Sequence, residues 1–364
     1  MFEGEILSTF LAGMLTSILV LLVITHTREI HEVWTSGPKE AIQKMHAGAV
    51  PRIGGIGILL GMGVMVVVYR PINSIVFSTF IASSFIFAIG FAEDLSNKIK
   101  VSWRLLLTFI PGIFIAVNSG IYLTHFGWGW IDSLLSIQFL AIGFTAFALA
   151  GVSHAFNMID GLNGLVSFTS LWILGAYLSL GFYYDDLLIV HMCLLLAAPI
   201  LGFLLFNWPL GKCFLGDGGA YLIGFFLAFI GVLLAERHLV ISPFAPLLIC
   251  SYPIIEVLYS SVRRILKGRN SGAPDNQHLH QLFKFRLIKP LLKKHNLQTV
   301  IINSITGFAI SLICSPFLVL AVLFKTDQNV LIGLFLIEFF LYRFLYRFLV
   351  NSNVELKAIV KSFK

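Results

Sequence analysis

Residues 219–235, with the sequence GAYLIGFFLAFIGVLLA, decide the fold of this chain. The run carries no charged side chain and is apolar all round a helix rather than along one stripe, which is typical of a helix that water does not reach. A helix needs about 20 such residues to cross the roughly 30 Å hydrocarbon core of a bilayer. Because Asp217 precedes the run and Glu236 and Arg237 follow it, we predict a membrane-spanning helix with polar ends.

Runs of the same kind recur along the whole chain. Of the 364 residues, 58% are apolar and 12% are charged, and the mean hydropathy is +0.91, whereas soluble chains usually carry about 25% charged residues. We therefore predict an all-α, polytopic integral membrane protein, folded as a single domain over residues 1–364, with about eleven transmembrane helices. The predicted spans are 6–24, 53–69, 74–92, 103–118, 136–153, 164–182, 187–206, 219–235, 243–262, 298–323 and 330–349.

The orientation follows from the Lys and Arg residues. With eleven spans, three of the 25 lie on one side of the membrane, namely Arg70, Arg237 and Lys325, and the other 22 lie on the opposite side. Loops rich in Lys and Arg face the cytoplasm, so we predict an N-terminus outside and a cytoplasmic C-terminus. A basic cytoplasmic face attracts anionic headgroups and anionic soluble substrates. The net charge of +7 therefore does not indicate nucleic acid.

The predicted cytoplasmic loops contain five unusual polar clusters. The loops are 25–52, 93–104, 154–163, 207–218 and 263–297, and the clusters are His46 to Gly55, Glu93 to Arg104, His154 to Asn163, Gly216 to Gly219 and Asp275 to His280. Hydropathy and charge bias alone place all five on one side of the membrane. We therefore predict that function resides on this face.

The first two clusters suit phosphate and metal binding. His46 and Arg52 precede a pair of glycines that opens a helix, whose N-terminus favours anions; the alternative is an interfacial turn with a snorkelling arginine. Glu93 and Asp94 are adjacent acids at the end of a span, where they repel each other unless a positive charge lies close. A divalent cation supplies that charge, and local ion pairs are the alternative.

The third and fourth clusters concentrate oxygen atoms and glycines. The third places Asn157, Asp160, Gly161 and Asn163 between two spans. Oxygen ligands at this density suit Mg²⁺, which keeps several waters and shares substrate phosphates, although Asp-Gly and Asn-Gly also form ordinary turns. In the fourth cluster, Asp217 can hold a metal while the neighbouring glycine amides face a phosphate, or it can cap the helix that follows.

The fifth cluster places two histidines at positions i and i+2. This spacing puts His278 and His280 on one side of an extended segment. Zinc is a poor fit, because further nitrogen or sulfur ligands are not evident nearby. With neighbouring arginines, the imidazoles favour a phosphate-binding surface. An acid within a span, Glu256, is expected to form a structural ion pair in the helix bundle.

Read in order, the five clusters resemble the signature of the polyprenyl-phosphate N-acetylhexosamine-1-phosphate transferases, membrane enzymes of the glycosyltransferase family 4 type. The resemblance runs from about residue 46 to 281. It implies transfer of a sugar 1-phosphate from a UDP-N-acetylhexosamine to a polyprenyl phosphate, usually undecaprenyl phosphate, with release of UMP. It also implies a need for Mg²⁺, with Mn²⁺ as the alternative, and a place in the cytoplasmic (inner) membrane of a bacterium, as a monomer or a homodimer.

The resemblance assigns positions residue by residue. Glu93 and Asp94 stand where the family usually has two adjacent aspartates at the active site. Asn157, Asp160 and Gly161 match an Asn-x-x-Asp-Gly element. The glutamate is a departure from the pattern, because it shifts one carboxylate by about the length of a C–C bond.

The second half of the resemblance has departures too. Asp217 matches the metal-binding residue of a Gly-Asp-x-Gly element, and His278 and His280 match a His-x-His segment near the nucleotide diphosphate. Asn163 stands where many members have Asp, and Gln281 replaces a frequent further His. The basic loop of the muramoyl-pentapeptide branch is richer in histidine than this segment. The resemblance therefore favours the branch that uses simple N-acetylhexosamines.

These residues fall into three predicted roles. The candidate catalytic residues are Asp94, Glu93 and Asp160. The candidate metal ligands are Asp217, Asp160 and Asp94. The candidate ligands of the nucleotide sugar and its phosphates are Asn157, Gly161, Asn163, Gly218, His278, His280, Arg52 and His46. Because a phosphate monoester is largely dianionic at neutral pH, a strong general base is not essential, and Asp94 can be base, metal ligand or lipid-phosphate positioner.

Two other functions stay open at this point. A secondary transporter for an anionic solute also combines many spans with glycine-interrupted helices, but it is expected to carry charge near the bilayer midplane and to show inverted repeats. A catalytically inactive scaffold of a polysaccharide assembly complex is suggested by the departures at Glu93 and Asn163. Release of UMP that depends on added lipid phosphate separates the three functions.

Overall fold

The computed structural model describes residues 2–30, 50–68, 73–96, 99–268, 277–295 and 297–351. Within these ranges the chain is helical and has no strand, which confirms the all-α class. The helices are α1 (Phe2–His26), α2 (Gly55–Val68), α3 (Ser74–Ser96), α4 (Val101–Ser119), α5 (Gly129–Leu135), α6 (Gln138–Ile159), α7 (Leu165–Tyr183), α8 (Leu187–Asn207), α9 (Gly216–Arg237), α10 (Phe244–Ile249), α11 (Ser251–Leu266), α12 (Leu279–Phe283), α13 (Thr299–Leu323) and α14 (Gln328–Asn351).

Every predicted span coincides with helical structure. Nine helices in the described ranges are long and apolar enough to cross a membrane, which confirms the polytopic class. The apolar helix α2 is only 14 residues long, and the predicted span 243–262 consists of two helices, α10 and α11, that separate at Cys250. Pro253 explains this break, because it has no N–H to bond the carbonyl of Ile249. The count of eleven crossings and the orientation of the termini stay predictions.

Helix α9 lies at the centre of the bundle. Its residues from Gly218 to Ala235 are all buried. Glycines bring its neighbours into backbone contact: a Cβ added at Gly90 of α3 would lie 2.6 Å from the Gly218 nitrogen, and one added at Gly55 of α2 would lie 2.5 Å from the Gly219 Cα. Small residues permit this close approach of membrane helices. The end of α3 and the start of α2 therefore pack directly on the start of α9.

The segment before α2 is bonded to the segment before α9. The Gly54 N–H donates to the Phe214 carbonyl over 2.8 Å, and the Phe214 N–H donates to the Pro51 carbonyl over 2.8 Å. Helix α9 then begins at Gly216, whose φ of +79° lies in the left-handed region that favours glycine. These bonds hold Arg52 beside the first turn of α9.

The opposite end of the bundle is held by a separate polar cluster. Asp186 accepts a hydrogen bond from Arg237 Nε over 2.6 Å, and its carboxylate lies 2.9 Å from His238 Nε2. Burial works to raise the pKa of Asp186, but the hydrogen bonds from Arg237 and His238 outweigh it and keep that pKa below its ordinary value. Lys325 Nζ lies 3.9 Å from the ring centroid of Tyr183. The loops at this end are thereby joined, away from the five clusters.

The contact between α3 and α9 predicts that Gly90→Ala destabilises the protein. The added Cβ would lie 2.7 Å from the Asp217 carbonyl oxygen, and a backbone atom cannot yield as a flexible side chain does. Overpacking of this kind costs about 1–3 kcal/mol, so the Tm measured in detergent is expected to fall. Gly175→Ala on α7 is the matched control, because no atom lies within 4 Å of its added Cβ. Equal Tm values for the two variants would contradict the predicted contact.

Candidate active site at the start of the central helix

Acids and arginines from four parts of the chain meet at the start of α9. Arg104 Nη1, on α4, lies 3.2 Å from Asp217 Oδ2 and 3.9 Å from Glu93 Oε1. Arg52 Nη2 lies 3.7 Å from Asp217 Oδ1. The side chains of Asp217, Glu93 and Arg104 are each less than one fifth exposed. Because water is partly excluded, these charges interact more strongly than charges on an open surface.

Asp94 caps the central helix from a neighbouring helix. Its Oδ2 accepts a hydrogen bond from the Gly218 N–H over 3.1 Å. No side chain adjoining α9 in sequence caps that helix, so Asp94 supplies the acceptor that the first turn would otherwise lack. Asp217 therefore does not cap its own helix, and its carboxylate faces Arg52 and Arg104 instead. A carboxylate at this position is also favoured by the helix dipole.

Glu93 uses the extra length of its side chain. Its Oε2 accepts a hydrogen bond from the Ile99 N–H over 2.9 Å, while Oε1 faces Arg104. The residue thus joins the segment that follows α3 to the charged cluster. This is a structural reason for glutamate where the resemblance has aspartate.

Asp160, directly after α6, belongs to the same electrostatic cluster. Burial raises the pKa of its carboxyl to about 7; Arg52 opposes this shift, and Asp217 and Asp94 add to it. A large fraction of the carboxyl is therefore protonated near neutral pH unless a cation comes close. The structure thus brings together all three predicted metal ligands, Asp94, Asp160 and Asp217, with Arg52 among them.

The donor set fits a magnesium ion shared with a substrate. In the described part of the chain, no three His, Cys, Asp or Glu side chains are arranged to hold a metal by themselves. Mg²⁺ commonly takes one or two carboxylates and fills its other positions with waters and substrate phosphates. Asp217, with Asp160 or Asp94, offers oxygen donors of that kind and does not resemble the nitrogen and sulfur cage that zinc prefers.

The His-x-His segment packs against the third cluster. A Cβ added at Gly161 would lie 2.5 Å from His280 Nε2, so the imidazole lies on the glycine backbone next to Asp160. The rings of His278 and His280 are parallel within 3°, with centroids 5.5 Å apart. Burial, reinforced by His278, lowers the pKa of His280 to about 4. His280 is therefore a neutral hydrogen-bonding group at pH 7 rather than a cation.

The two predicted asparagines have different surroundings. Asn157, near the end of α6, interacts electrostatically with the hydroxyl of Tyr221 on the central helix. Asn163 is 2% exposed, and its Nδ2 donates to Ser304 Oγ over 3.2 Å. A Cβ added at Gly211 would lie 2.7 Å from that same nitrogen. The side chain of Asn163 thus joins three separate segments of the chain.

One predicted residue was not placed, and one important residue was missed. His46 lies outside the described residues. Arg104 was not among the candidates, although it contacts both Glu93 and Asp217. The available signal was a cation inside the predicted span 103–118, because charged residues within spans are costly and often functional.

Comparison with known proteins agrees with this arrangement. A family profile described as glycosyl transferase family 4 matches residues 76–235. A probable undecaprenyl-phosphate N-acetylglucosaminyl 1-phosphate transferase of Bacillus subtilis is 27% identical over 319 residues, covering 85% of this chain and 84% of the relative. Undecaprenyl-phosphate alpha-N-acetylglucosaminyl 1-phosphate transferases of Thermotoga maritima and Escherichia coli are each 29% identical, over 68% and 67% of this chain and 72% and 68% of their own lengths.

The described chain is a multi-pass helix bundle with the acids of the site at one end, and its residues 76–235 are similar to glycosyl transferase family 4. The profile and the relatives confirm the resemblance to the polyprenyl-phosphate N-acetylhexosamine-1-phosphate transferases.

The surroundings of Asn163 predict that Asn163→Ala mainly lowers stability. The substitution removes a buried hydrogen bond to Ser304, which is expected to cost about 1–3 kcal/mol and to lower the Tm in detergent. In the double variant with Ser304→Ala, the two losses should be less than additive, because the residues share one contact. An unchanged Tm for Asn163→Ala would contradict the structural role.

Proposed function

We propose that the protein transfers an N-acetylhexosamine 1-phosphate from a UDP-sugar to a polyprenyl phosphate and releases UMP. The observation that carries the proposal is the cluster of Asp94, Asp160 and Asp217 with Arg52 and Arg104 at one end of the bundle. The names of the relatives support N-acetylglucosamine as the sugar and undecaprenyl phosphate as the lipid.

The chemistry requires charge neutralisation more than a base. An oxygen of the lipid phosphate forms a bond to the sugar-bearing phosphorus of the UDP-sugar, and the bond from that phosphorus to the bridging oxygen breaks, so UMP leaves with the electron pair. The lipid phosphate is already largely dianionic at neutral pH. Positioning and electrostatic stabilisation therefore supply most of the catalysis, as in other phosphoryl transfers.

Arg52 and Arg104 are suited to neutralising the charge of the phosphates. Arg104 and Arg52 both reach Asp217, at 3.2 Å and 3.7 Å, so two cations are already oriented where a diphosphate would approach the acids. Guanidinium groups recognise phosphates through paired, directional hydrogen bonds. Arg52 and Arg104 are therefore proposed to hold phosphate oxygens and to offset the negative charge that two anionic substrates bring together.

A divalent cation completes the proposed site. Asp217, with Asp160 or Asp94, would hold Mg²⁺, or Mn²⁺ in its place, and the ion would neutralise phosphate charge when bound. The carboxyl of Asp160, whose pKa is raised to about 7, would be kept ionised by the nearby metal. Asp94 remains a candidate ligand, base or positioner of the lipid phosphate.

The site is proposed to face the cytoplasm of a bacterium, in the inner membrane. The basis is the excess of Lys and Arg on the same side as the five clusters, together with the bacterial relatives. The reaction would be a first membrane step in the synthesis of a cell-surface polysaccharide, such as an O-antigen, or of a cell-wall polymer. A solute carrier has less support, because the acids lie at helix ends rather than near the middle of the spans.

The first test measures the release of UMP by the purified protein. The protein purified in detergent is expected to release UMP from UDP-N-acetylglucosamine only when undecaprenyl phosphate and Mg²⁺ are both present, measured by chromatography of the nucleotide. A panel of UDP-N-acetylhexosamines in the same assay identifies the sugar. Failure to release UMP with every member of the panel would reject the proposed function and favour the inactive scaffold or the carrier.

The second test concerns Asp217. Asp217→Asn removes a negative oxygen donor and leaves Arg52 and Arg104 without their shared carboxylate partner. Loss of one such electrostatic group is expected to reduce the rate by about 100-fold or more, with a higher Mg²⁺ concentration needed for half-maximal rate. Asp185→Asn is the matched control, since Asp185 is exposed at the opposite end of the bundle. A wild-type rate at ordinary Mg²⁺ for Asp217→Asn would exclude the metal role.

A further inference from the structure

A buried carboxylate next to the site has a full set of hydrogen-bond donors. Glu256 of α11 is 0% exposed. Its Oε1 lies 2.9 Å from His278 Nδ1 and also accepts from Ser260 Oγ over 3.2 Å, while its Oε2 accepts from the Tyr342 hydroxyl over 2.8 Å. The Leu279 N–H adds a longer contact of 3.4 Å to Oε1. One side chain thus joins α11, the His-x-His segment and α14.

These bonds fix the imidazole of His278. Because a carboxylate only accepts hydrogen bonds, Nδ1 carries the proton in the contact with Glu256. Nε2 is then the ring nitrogen left for a ligand, and it donates a hydrogen bond when the ring carries both protons, as it does in an ion pair with Glu256. The backbone N–H of His278 also donates to Gln281 Oε1 over 3.4 Å, so the segment is held at both its main chain and its ring.

The fixed ring lies close to the acidic cluster. His278 is parallel to His280, and His280 Nε2 lies against Gly161, next to Asp160. A buried carboxylate without partners is costly, and the shortest hydrogen bonds to the two oxygens of Glu256 come from His278 and Tyr342. The orientation of His278 is therefore coupled to the position of α14.

We propose that Glu256 and Tyr342 are positioning residues that hold His278 in its imidazolium form, so that its Nε2 N–H donates to a phosphate oxygen of the nucleotide sugar. This inference rests on the proposed function. It gives the last long helix of the described chain a part in the reaction, although Tyr342 is 86 residues away from Glu256 in sequence. Neither residue touches substrate, and both act through the imidazole.

Steady-state kinetics of single and double variants test the proposal. Glu256→Gln is expected to lower kcat/KM for the UDP-sugar about 30-fold, as is usual for a residue that orients a ligand-binding histidine, and Tyr342→Phe about fivefold, for one hydrogen bond. The KM for undecaprenyl phosphate should stay unchanged. In a His278→Asn background, each substitution should add less than about twofold, because residues that act through one group are not additive.

The controls separate positioning from folding. Tyr259→Phe removes a hydroxyl from a ring that lies 5.3 Å from the Tyr342 ring but has no hydrogen bond to Glu256, and it should keep wild-type kinetics. Gel filtration and the Tm in detergent check that each variant is folded. If Glu256→Gln does not fold, the pair Tyr342→Phe and His278→Asn still gives the coupling.

The outcomes are distinguishable. Lipid-dependent UMP release by the wild type, with losses that vanish in the His278→Asn background, supports the inference. Wild-type kinetics for Tyr342→Phe and Glu256→Gln, full losses in that background, or an undamaged His278→Asn each overturn it while the proposed function stands. Absence of UMP release by the wild type rejects the proposed function itself.

Discussion

The site depends on the close backbone contact of α9 with the start of α2 and the end of α3. Membrane helices gain little from hydrophobic association, so their packing depends on close contact between small residues. Gly90 and Gly55 allow α3 and α2 to touch Gly218 and Gly219 of α9. The same approach puts Asp94 within hydrogen-bonding distance of the first turn of α9. The packing of the apolar helices and the assembly of the charged site therefore depend on the same contacts.

Charge balance is the second constraint, and it follows from the first. Acids crowded at the end of a membrane helix are costly unless cations compensate them. Arg104 and Arg52 do so at Asp217, and burial holds the pKa of Asp160 near 7. In the proposed function, Arg52 and Arg104 would contact phosphate oxygens in place of Asp217, and the acids would hold a divalent ion that neutralises phosphate charge. Few dipoles need to be reoriented, which is the condition for preorganised electrostatic catalysis.

The sequence predicted the helices and the acids because both signals are local. Each predicted apolar run coincides with helical structure, whereas the short helices α5 and α12 lie outside these runs. The acids Asp94, Asp160 and Asp217, each in a predicted cytoplasmic loop, lie in one electrostatic cluster. The break at Cys250 was missed, since hydropathy does not register the missing N–H of Pro253.

Contacts between distant segments could not be read from local patterns. Glu256 was predicted to form a structural ion pair, but its partner His278 lies 22 residues further along the chain. For the same reason Asn163 could be proposed as a ligand, whereas its contact with Ser304 across 141 residues gives it a structural role. Arg104 was hidden because a cation near a span end is also the usual snorkelling residue.

The site has two parts that differ in how they are held. The acids lie within residues 76–235, the part that the family profile matches, and they are fixed by helices packed around α9. The histidines follow that region and depend on Glu256, which itself depends on Tyr342 of α14. The acids suit metal and phosphate, and the histidines belong to a separately supported segment that meets the acidic part where His280 packs on Gly161. Outside this contact, the support of the histidines can vary without changing the packing around α9. Differences in nucleotide-sugar binding between relatives are therefore expected to arise more readily in the histidine segment and its support than in the acidic cluster.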